Sequence, residues 1–406
     1  MSIEGNTPFP FVCDPAGKQS DALRELSRRD FLRTGLTSAG LVVLSGSGLI
    51  KTAWANADEP AKKGPVLKEV MFYEKLQDNK IKCLICPRVC VVSEDKRGYC
   101  GNKENRGGSY YSLVYGKACS AHIDPIEKKP FFHFLPGTKD VFSLAAAGCN
   151  FECQYCQNWQ ISQAKPEDVE TDDLPPEKIV EICQENNCPV IAFTYTEPTV
   201  FYEYVYETAR LAKEKGIASV MVSNGFINEK PLLELCKQLT AVKIDLKGFS
   251  DDFYKKYCRG QLQPVLDTLL TLKKSNLWYE IVVLVVPTLN DAAEDLQKMC
   301  EWINKNLSDE VPVHFDRFTP LYKLTNLPPT PVKTLETAYQ VARKAGLKFV
   351  YLGNVTPHQW ESTYCPKCEK IIIKRNGYVI EENNLKDGKC KYCQTTIPGY
   401  WTLKNR

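Results

Sequence analysis

The chain has 406 residues, of which 43% are hydrophobic, and its 52 basic residues nearly balance 49 acidic ones. This length and composition predict one large globular domain with small attachments and exclude a disordered chain. The formal net charge of +3 supplies no basic face, which argues against nucleic acid as a partner. The 18 cysteines are therefore the most informative part of the composition.

Residues 1–57 have the layout of a twin-arginine export signal. Arg28 and Arg29 precede a Gly-rich, mildly apolar run over residues 35–50, and small residues suited to signal-peptidase cleavage follow. The run is too short to span a membrane, so we expect no transmembrane helix in the mature protein and export to the periplasm or cell exterior. The alternative is a cytoplasmic protein with an uncleaved amphipathic segment. Residues 58–65 are expected to form a polar linker.

From residue 141 onward, short apolar runs alternate with amphipathic helical segments. The predicted strands cover residues 141–147, 190–195, 219–223, 241–246, 279–286, 311–318 and 349–352. The predicted helices cover residues 176–186, 200–215, 230–239, 262–274, 292–306 and 332–345. This alternation predicts an α/β fold with a parallel sheet, in the form of a partial or full (β/α) TIM-like barrel over residues 136–357. Functional loops in such a fold lie at the carboxyl ends of the strands.

The loop after the first predicted strand carries three closely spaced cysteines, Cys149, Cys153 and Cys156. Three thiolates in one short loop predict a metal cluster. Three ligands rather than four would leave one iron of a cubane open to bind a small molecule. A zinc knuckle or a chance grouping is the alternative.

This loop, with Tyr155 before its third cysteine, resembles the radical S-adenosylmethionine (SAM) superfamily. In that family the open iron binds the amino and carboxylate groups of SAM, and one electron cleaves SAM to methionine and a 5′-deoxyadenosyl radical. The resemblance implies a [4Fe-4S] cluster on Cys149, Cys153 and Cys156, SAM as cofactor near Tyr155, and hydrogen abstraction from a substrate. It also implies an electron donor of the flavodoxin or ferredoxin type.

Glu197, at the end of the second predicted strand, is expected to bind the amino group of SAM. The family carries a Gly-Gly-Glu motif there, whereas Tyr195 and Thr196 precede the glutamate in this chain. The alternative is that Glu197 is only a negative charge at a helix N-terminus before Pro198.

Asn224, Asp245 and Lys247 resemble the third- and fourth-strand motifs of glycyl-radical-enzyme activating enzymes. The resemblance implies that all three lie at the SAM site and that Lys247 pairs with the SAM carboxylate. Val222 stands where those enzymes carry an acidic residue. The alternative for Asp245 and Lys247 is a buried ion pair at the barrel mouth. No residue is assigned a catalytic role.

Longer motifs restrict the resemblance to one group within the radical SAM superfamily. The segments Cys83-Leu-Ile-Cys86-Pro-Arg-Val-Cys90 and Arg97-Gly-Tyr-Cys100-Gly, with residues 122–133, resemble the radical SAM component of the so-called AmmeMemoRadiSam system. Members are associated with Memo-like and AMMECR-type proteins, which the resemblance implies as partners. The substrate stays open, with a glycyl or peptide position among the candidates.

Two further cysteine groups flank the predicted barrel. Cys83, Cys86, Cys90 and Cys100, in an N-terminal segment over residues 66–135, form a closed four-thiolate set. Zinc and an auxiliary iron-sulfur cluster both accept such a set, and the spacing does not separate them.

The C-terminal residues 358–406 carry two C-x2-C knuckles, Cys365 with Cys368 and Cys390 with Cys393. The stretch is too small to hold a core by itself, so we expect a zinc-ribbon-like module folded around structural zinc. Rubredoxin-like mononuclear iron uses the same spacing and is the alternative.

The histidines and the remaining cysteines are less informative. His122 and His133 precede the first predicted barrel strand, from where they could reach the mouth. The seven single cysteines lie mostly in apolar segments and are expected to be structural. A second functional hypothesis is an exported iron-sulfur electron-transfer or scaffold protein that keeps a degenerate barrel.

Overall fold

The structure, a computed structural model, describes residues 67–403. The predicted export signal at 1–57 and the predicted linker at 58–65 lie outside the described residues. The described residues all belong to one compact unit of the chain.

An eight-stranded sheet forms the centre of the fold. Its strands are β1 (Ser120–Asp124), β2 (Val141–Ala145), β3 (Val190–Phe193), β4 (Ala218–Ser223), β5 (Ala241–Asp245), β6 (Trp278–Val285), β7 (Val313–Arg317) and β8 (Val350–Gly353). The strands follow one another in sequence order across the sheet. β2 to β8 are parallel, whereas β1 pairs antiparallel with β2. Within residues 67–403, β1 and β8 do not pair with each other, so the α/β fold is a partial barrel.

Helices connect the parallel strands, as the sequence predicts. They are Pro176–Glu185, Tyr202–Glu214, Glu229–Cys236, Gln263–Ser275, Ala293–Asn306 and Val332–Lys344, and the short helix Trp159–Ser162 lies between β2 and β3. The predicted strands and helices are all present, with ends shifted by a few residues. The helix predicted from residue 200 begins at Tyr202, because the preceding Pro198–Phe201 forms a 3-10 turn.

The inner face of the sheet changes character along the strands. Near their amino ends it is apolar, where Val141, Val190 and Ala241 pack in one buried cluster with Phe131 and Phe134. Side chains alternate between faces along a strand, so the same inner face continues through Ser143, Lys243 and Asp316 toward the carboxyl ends. The inner face therefore becomes more polar toward the carboxyl-end mouth. Nearer the base, buried Glu280 on β6 accepts hydrogen bonds from the backbone N–H groups of Phe132 and His133.

His133 lies at the opposite end from the mouth, so the expectation that it reaches the mouth is wrong. Its ring packs on Trp278 and Phe349, which stand at the amino ends of their strands. Its Nδ1 donates to the carbonyl of Pro398 at 2.7 Å, and its Nε2 lies 2.6 Å from the hydroxyl of Tyr351. His133 therefore joins the base of the barrel to the C-terminal module.

Short antiparallel sheets make up the N-terminal segment. One contains Lys68–Glu69, Lys103–Arg106 and Ser109–Ser112, and the other contains Tyr73–Lys75, Ile81–Cys83 and Val91–Val92. Sequence periodicity did not predict these strands, since each is two to four residues long. Along residues 67–403, no helix combines the length and apolar character that crossing a bilayer requires.

The C-terminal module is built from a three-stranded antiparallel sheet and a short hairpin. The sheet contains Thr363–Tyr364, Ile371–Asn376 and Val379–Asn383, and the hairpin pairs Leu385–Lys386 with Lys389–Cys390. Buried Arg375 attaches the module to the barrel: it donates to the carbonyl of Phe132 at 2.8 Å and to the hydroxyl of Thr363 at 2.7 Å.

Candidate functional site

The three-cysteine loop leaves β2 at the mouth of the barrel and is held in place by its backbone. Glu152 N donates to the carbonyl of Cys258 and Gln154 N to that of Tyr257, both at 2.9 Å. Gly148 begins the loop with φ +102°, and a Cβ there would stand 2.7 Å from the carbonyl oxygen of Cys100. Only glycine fits this turn, which brings the loop against the N-terminal segment.

Polar groups surround two of the three loop sulfurs. The backbone N–H of Phe151 donates to Cys149 Sγ at 3.3 Å, and Cys156 Sγ lies 3.2 Å from the hydroxyl of Ser162. All three thiols are free, and burial raises the pKa of Cys149 and of Cys156. Burial favours the protonated thiols, and bound iron would supply positive charge that favours the thiolates. This donor set fits an iron-sulfur cluster.

Glu197 is buried and accepts three hydrogen bonds from the protein. Its Oε1 accepts from Thr199 N at 2.9 Å and from the hydroxyl of Ser223 at 2.7 Å, and its Oε2 accepts from Asn224 N at 2.8 Å. It caps the 3-10 turn Pro198–Phe201, as the alternative interpretation expected. Burial raises the pKa of Glu197. Since a carboxylate has about four acceptor positions, one position on Oε2 stays available for an ammonium donor.

Asn224 connects the end of β4 to the cysteine loop. Its side-chain amide donates to Oδ1 of Asn150 at 2.8 Å and lies 3.9 Å from Cys149 Sγ. Asn150 in turn donates to the carbonyl of Phe226 at 2.8 Å. The sequence did not single out Asn150, which adjoins Cys149 and is the residue through which β4 positions the loop.

Asp245 is shared by two lysines at the end of β5. Its Oδ2 accepts from Lys247 Nζ at 2.9 Å, and its Oδ1 lies 3.1 Å from Lys243 Nζ. Burial opposes ionisation, but the two ammonium groups outweigh it and lower the pKa of Asp245 to about 2. The ion pair that was the alternative interpretation is thus present, and Lys247 also lies within electrostatic reach of Cys153. Lys247 remains partly exposed, so it can still meet an anionic group.

Tyr155 and Cys258 form a contact beneath the cysteine loop. Tyr155 is buried, and its hydroxyl lies 3.2 Å from Cys258 Sγ. Cys258 also lies close to the side chain of Cys153. Cys258 ends the π-helical turn Tyr254–Cys258 and was expected to be merely structural. The structure places it directly behind a loop cysteine, which no local sequence signal indicates.

Tyr195 takes the position of a family glycine and keeps a backbone conformation that favours glycine. Its φ is +66°. Its hydroxyl donates to Asp124 Oδ2 at 2.7 Å, and Asp124 Oδ1 also binds Lys129 Nζ at 2.6 Å. Burial lowers the pKa of Lys129 to about 8 despite this ion pair. The Tyr195 side chain is therefore held by the last residue of β1.

Asp316, on the inner face of β7, is a carboxylate that the protein leaves incompletely satisfied. Its Oδ1 is buried and accepts no hydrogen bond within the described part of the chain. Burial raises the pKa of Asp316, although Lys243 lies within electrostatic reach. A Cβ at Gly353 would stand 2.0 Å from Oδ1, so glycine on β8 provides the room for this carboxylate.

The two flanking cysteine groups are each brought together. In the N-terminal segment, Cys83, Cys90 and Cys100 lie within electrostatic reach of Tyr110, and Cys86 lies within reach of Cys90 and Cys100. In the C-terminal module, Cys365 Sγ lies 3.5 Å from Cys393 Sγ, and Cys368 Sγ lies 3.7 Å from Cys390 Sγ. All four C-terminal sulfurs lie within 4.8 Å of one another. Four thiols at that spacing fit one tetrahedral metal ion.

Comparison with known proteins agrees with this arrangement. Residues 144–303 match the family model of the radical SAM superfamily. The chain is 49% identical over 333 residues to an uncharacterized protein of Methanocaldococcus jannaschii. The aligned region covers 82% of this chain and 99% of that protein. It is 25% identical over 181 residues to the pyruvate formate-lyase-activating enzyme of Clostridium pasteurianum, covering 42% of this chain and 71% of the enzyme.

Solved structures include Streptococcus suis SuiB bound to S-adenosylmethionine, at a TM-score of 0.42 and 10% identity, over 56% of this chain and 53% of that one. Residues 144–303, which match the family model, contain the cysteine loop and the ends of β3, β4 and β5. The chain belongs to the radical SAM superfamily.

Proposed function

We propose that the protein is a radical SAM enzyme that cleaves SAM reductively and uses the resulting 5′-deoxyadenosyl radical to abstract hydrogen from a substrate. One observation carries the proposal: three successive parallel strands direct polar groups toward the loop of three free cysteines that follows their neighbour β2. β2 supplies the loop, Glu197 at β3 supports Asn224 at β4, Asn224 reaches Cys149, and Lys247 after β5 lies within reach of Cys153.

The residues of the loop and the strand ends divide the work. Cys149, Cys153 and Cys156 would hold three irons of a [4Fe-4S] cluster and leave the fourth to SAM. The free acceptor position of Glu197 suits the amino group of SAM, and the ammonium of Lys247 suits its carboxylate. When bound, the cluster and SAM supply the radical chemistry, while the protein orients the reactants and excludes water.

The test is anaerobic reduction with dithionite in the presence of SAM. The reconstituted protein is expected to release 5′-deoxyadenosine and methionine, and Cys156→Ala is expected to release neither. Cys300→Ala, which removes a buried thiol on the helix Ala293–Asn306, is the matched control and should retain the activity. Equal release from wild type and Cys156→Ala would refute the proposal.

The substrate is proposed to carry a hydrogen-bond donor that meets Asp316. A glycyl or peptide position fits this chemistry, because peptide N–H groups are strong donors and Oδ1 of Asp316 is a buried acceptor with no partner among residues 67–403. Similarity to the pyruvate formate-lyase-activating enzyme supports the same class. Asp316→Asn should leave uncoupled SAM cleavage intact and abolish deuterium transfer from a labelled glycyl peptide into 5′-deoxyadenosine. Unchanged transfer would exclude Asp316 from substrate binding.

The partners are part of the same proposal. We place the protein in the AmmeMemoRadiSam system, with Memo-like and AMMECR-type proteins as partners and a flavodoxin or ferredoxin as electron donor. The cysteine motifs at residues 83–100 support this assignment. Affinity purification of the tagged protein should recover a Memo-like or AMMECR-type protein in stoichiometric amount, and recovery of neither would contradict the assignment.

We also propose export, from the arginine pair, the apolar run over residues 35–50 and the small residues that follow it. Fusing residues 1–57 to a reporter should send it out of the cytoplasm, and Arg28→Lys with Arg29→Lys should abolish this transport. A reporter that stays inside with the native arginines would make the protein cytoplasmic.

For the C-terminal module we propose structural zinc. Four thiols within 4.8 Å suit it, and mononuclear iron is the competing occupant.

The alternative function, an electron-transfer or scaffold protein with a degenerate barrel, gains no support from the comparisons. It predicts no effect of SAM on the EPR spectrum of the reduced cluster.

A further inference from the structure

The N-terminal cysteines differ from the C-terminal ones in how far apart their sulfurs lie. One tetrahedral ion with bonds of about 2.3 Å places its four sulfurs about 3.8 Å from one another. The C-terminal pairs at 3.5 and 3.7 Å match that value. Among residues 67–403, the C-terminal set is the one group of cysteines whose sulfurs all lie within 4.8 Å.

The N-terminal set shares its wider spacing with the three-cysteine loop. Cys83, Cys90 and Cys100 lie near Tyr110, and Cys86 lies near Cys90 and Cys100. Yet no three of these four sulfurs meet the 4.8 Å limit in the described chain, and neither do those of the loop. In a cubane each cysteine binds a different iron, so its ligand sulfurs stand farther apart than those around one ion. We propose that these four cysteines hold a second [4Fe-4S] cluster rather than zinc.

Four protein ligands would leave this second cluster without an open iron, so its chemistry is electron transfer. Cys83 and Tyr110 are buried, whereas Cys90 and Cys100 are partly exposed. The site that these residues form therefore has one side in the protein interior and one near the surface. A surface-facing side is where a soluble electron carrier can approach.

The interior side adjoins the three-cysteine loop through Asn102. Cys100 Sγ donates to Asn102 Oδ1 at 3.1 Å, and Asn102 Nδ2 donates to the carbonyl of Ala147 at 2.9 Å. Ala147 stands two residues before Cys149 in the chain. The carbonyl oxygen of Cys100 also lies 2.7 Å from where a Cβ of Gly148 would stand.

A second connection runs through Asn150. Cys86 lies close to the side chain of Asn150, and Arg88 Nε donates to the carbonyl of Asn150 at 2.8 Å. Asn150 also accepts from Asn224, which reaches Cys149. Two asparagines thus connect the cysteine sets directly, with no intervening domain.

This adjacency makes the second cluster an electron relay. The relay role rests on the proposed function, but the presence of the second cluster does not. When bound by Cys83, Cys86, Cys90 and Cys100, the second cluster would take up one electron from a reduced flavodoxin or ferredoxin and supply it to the site on the three-cysteine loop, so its own oxidation state would be unchanged overall. That one electron is what the cleavage of the sulfonium bond of SAM would consume.

Metal analysis of the wild-type protein tests the cluster without any variant. After anaerobic reconstitution we expect about eight irons and eight sulfides per chain, in two [4Fe-4S] signals by Mössbauer spectroscopy. Four irons together with two zincs would overturn the proposal. Cys86→Ala with Cys100→Ala should remove about four irons and keep the other four, whereas Cys236→Ala, at a partly exposed single cysteine, should keep all eight.

The relay is tested by comparing two reductants. The Cys86→Ala, Cys100→Ala variant should still perturb its remaining EPR signal on SAM binding, and dithionite should still reduce it. Reduction of that signal by flavodoxin should slow at least tenfold. An unchanged flavodoxin rate would exclude the relay. Eight irons in a wild type that cleaves no SAM would refute the proposed function and leave the second cluster in place.

Discussion

Asn224 donates a 2.8 Å hydrogen bond from its side-chain amide to Oδ1 of Asn150 and places the same amide 3.9 Å from Cys149 Sγ. An amide dipole beside a cluster sulfur stabilises negative charge there. Hydrogen bonds to cluster sulfurs are one of the factors that set reduction potential.

Asn224→Ala is therefore expected to lower the reduction potential of the loop cluster and slow SAM cleavage. Losing one hydrogen bond to a charged group costs about 1.5 kcal/mol, which corresponds to roughly tenfold in rate. EPR-monitored redox titration measures the potential. Asn186→Ala is the matched control, since Asn186 donates to the carbonyl of Ile182 on a remote helix. Equal potentials for Asn224→Ala and wild type would show that the amide does not act on the cluster.

Lys247→Met separates the two interpretations of Lys247. If Lys247 binds the SAM carboxylate, the Kd for SAM should rise by roughly tenfold or more, because a charge-assisted hydrogen bond is lost. Calorimetry on the anaerobic holoprotein measures the Kd. Lys243→Met removes the other partner of Asp245 and should leave the Kd unchanged. If Lys247→Met lowers stability alone and leaves the Kd unchanged, the lysine serves only the ion pair.

Cys258→Ala is expected to keep the full iron content, because Cys258 lies behind Cys153 and contacts Tyr155 without completing the ligand set. The free energy of unfolding should fall by about 1–3 kcal/mol, since the hydroxyl of buried Tyr155 loses its partner. Iron analysis and urea unfolding measure the two effects. A loss of iron from Cys258→Ala would instead make Cys258 a ligand.

The pH dependence of stability should carry a contribution from His133. Burial lowers the pKa of His133 to about 4, below its unfolded value of about 6.5. Between these values the unfolded chain binds more protons than the folded one, so stability rises with pH across this window and is lost toward pH 4. The contribution amounts to about 2 kcal/mol between pH 7.5 and pH 5.

Urea unfolding at these two pH values measures the slope. His133→Gln should flatten it by about 2 kcal/mol relative to wild type, because glutamine does not titrate. A slope equal to that of wild type would show that His133 contributes no proton uptake.

Removing the C-terminal metal ion should unfold the C-terminal module and leave the iron-sulfur clusters in place. Cys368→Ala is expected to lose one zinc per chain, because structural zinc contributes about 10–16 kcal/mol of apparent binding free energy in small domains. Limited proteolysis should then cut within residues 358–403, while iron content stays at the wild-type value. Cys236→Ala serves as the control. Retention of zinc by Cys368→Ala would contradict a four-thiolate site.

The sequence was sufficient to predict the parallel strands and their helices, because apolar period and helix amphipathicity are local properties. It did not predict β1, where Ser120–Asp124 has no continuous apolar run and becomes a strand only by pairing with β2. The short N-terminal strands were not predicted for the same reason.

Within the site, the loop cysteines were recognisable because their spacing is local. Cys258 was not, since it meets Tyr155 across 103 residues of chain. Asn102 and Asn150 were missed for a related reason: a single asparagine has no periodicity or spacing that distinguishes it. Asp316 can be recognised as a candidate site residue only from its burial and from the room that Gly353, which has no side chain, leaves for its carboxylate.

The contact between His133 and Pro398 has a consequence for biosynthesis. These residues stand 265 positions apart, so the base of the barrel is incomplete while the ribosome is still translating the C-terminal module. Until Tyr400 has been made, the carbonyl of His133 also lacks its donor. Cofactor loading during translation would therefore meet an unfinished barrel, and we expect iron-sulfur insertion to follow chain release.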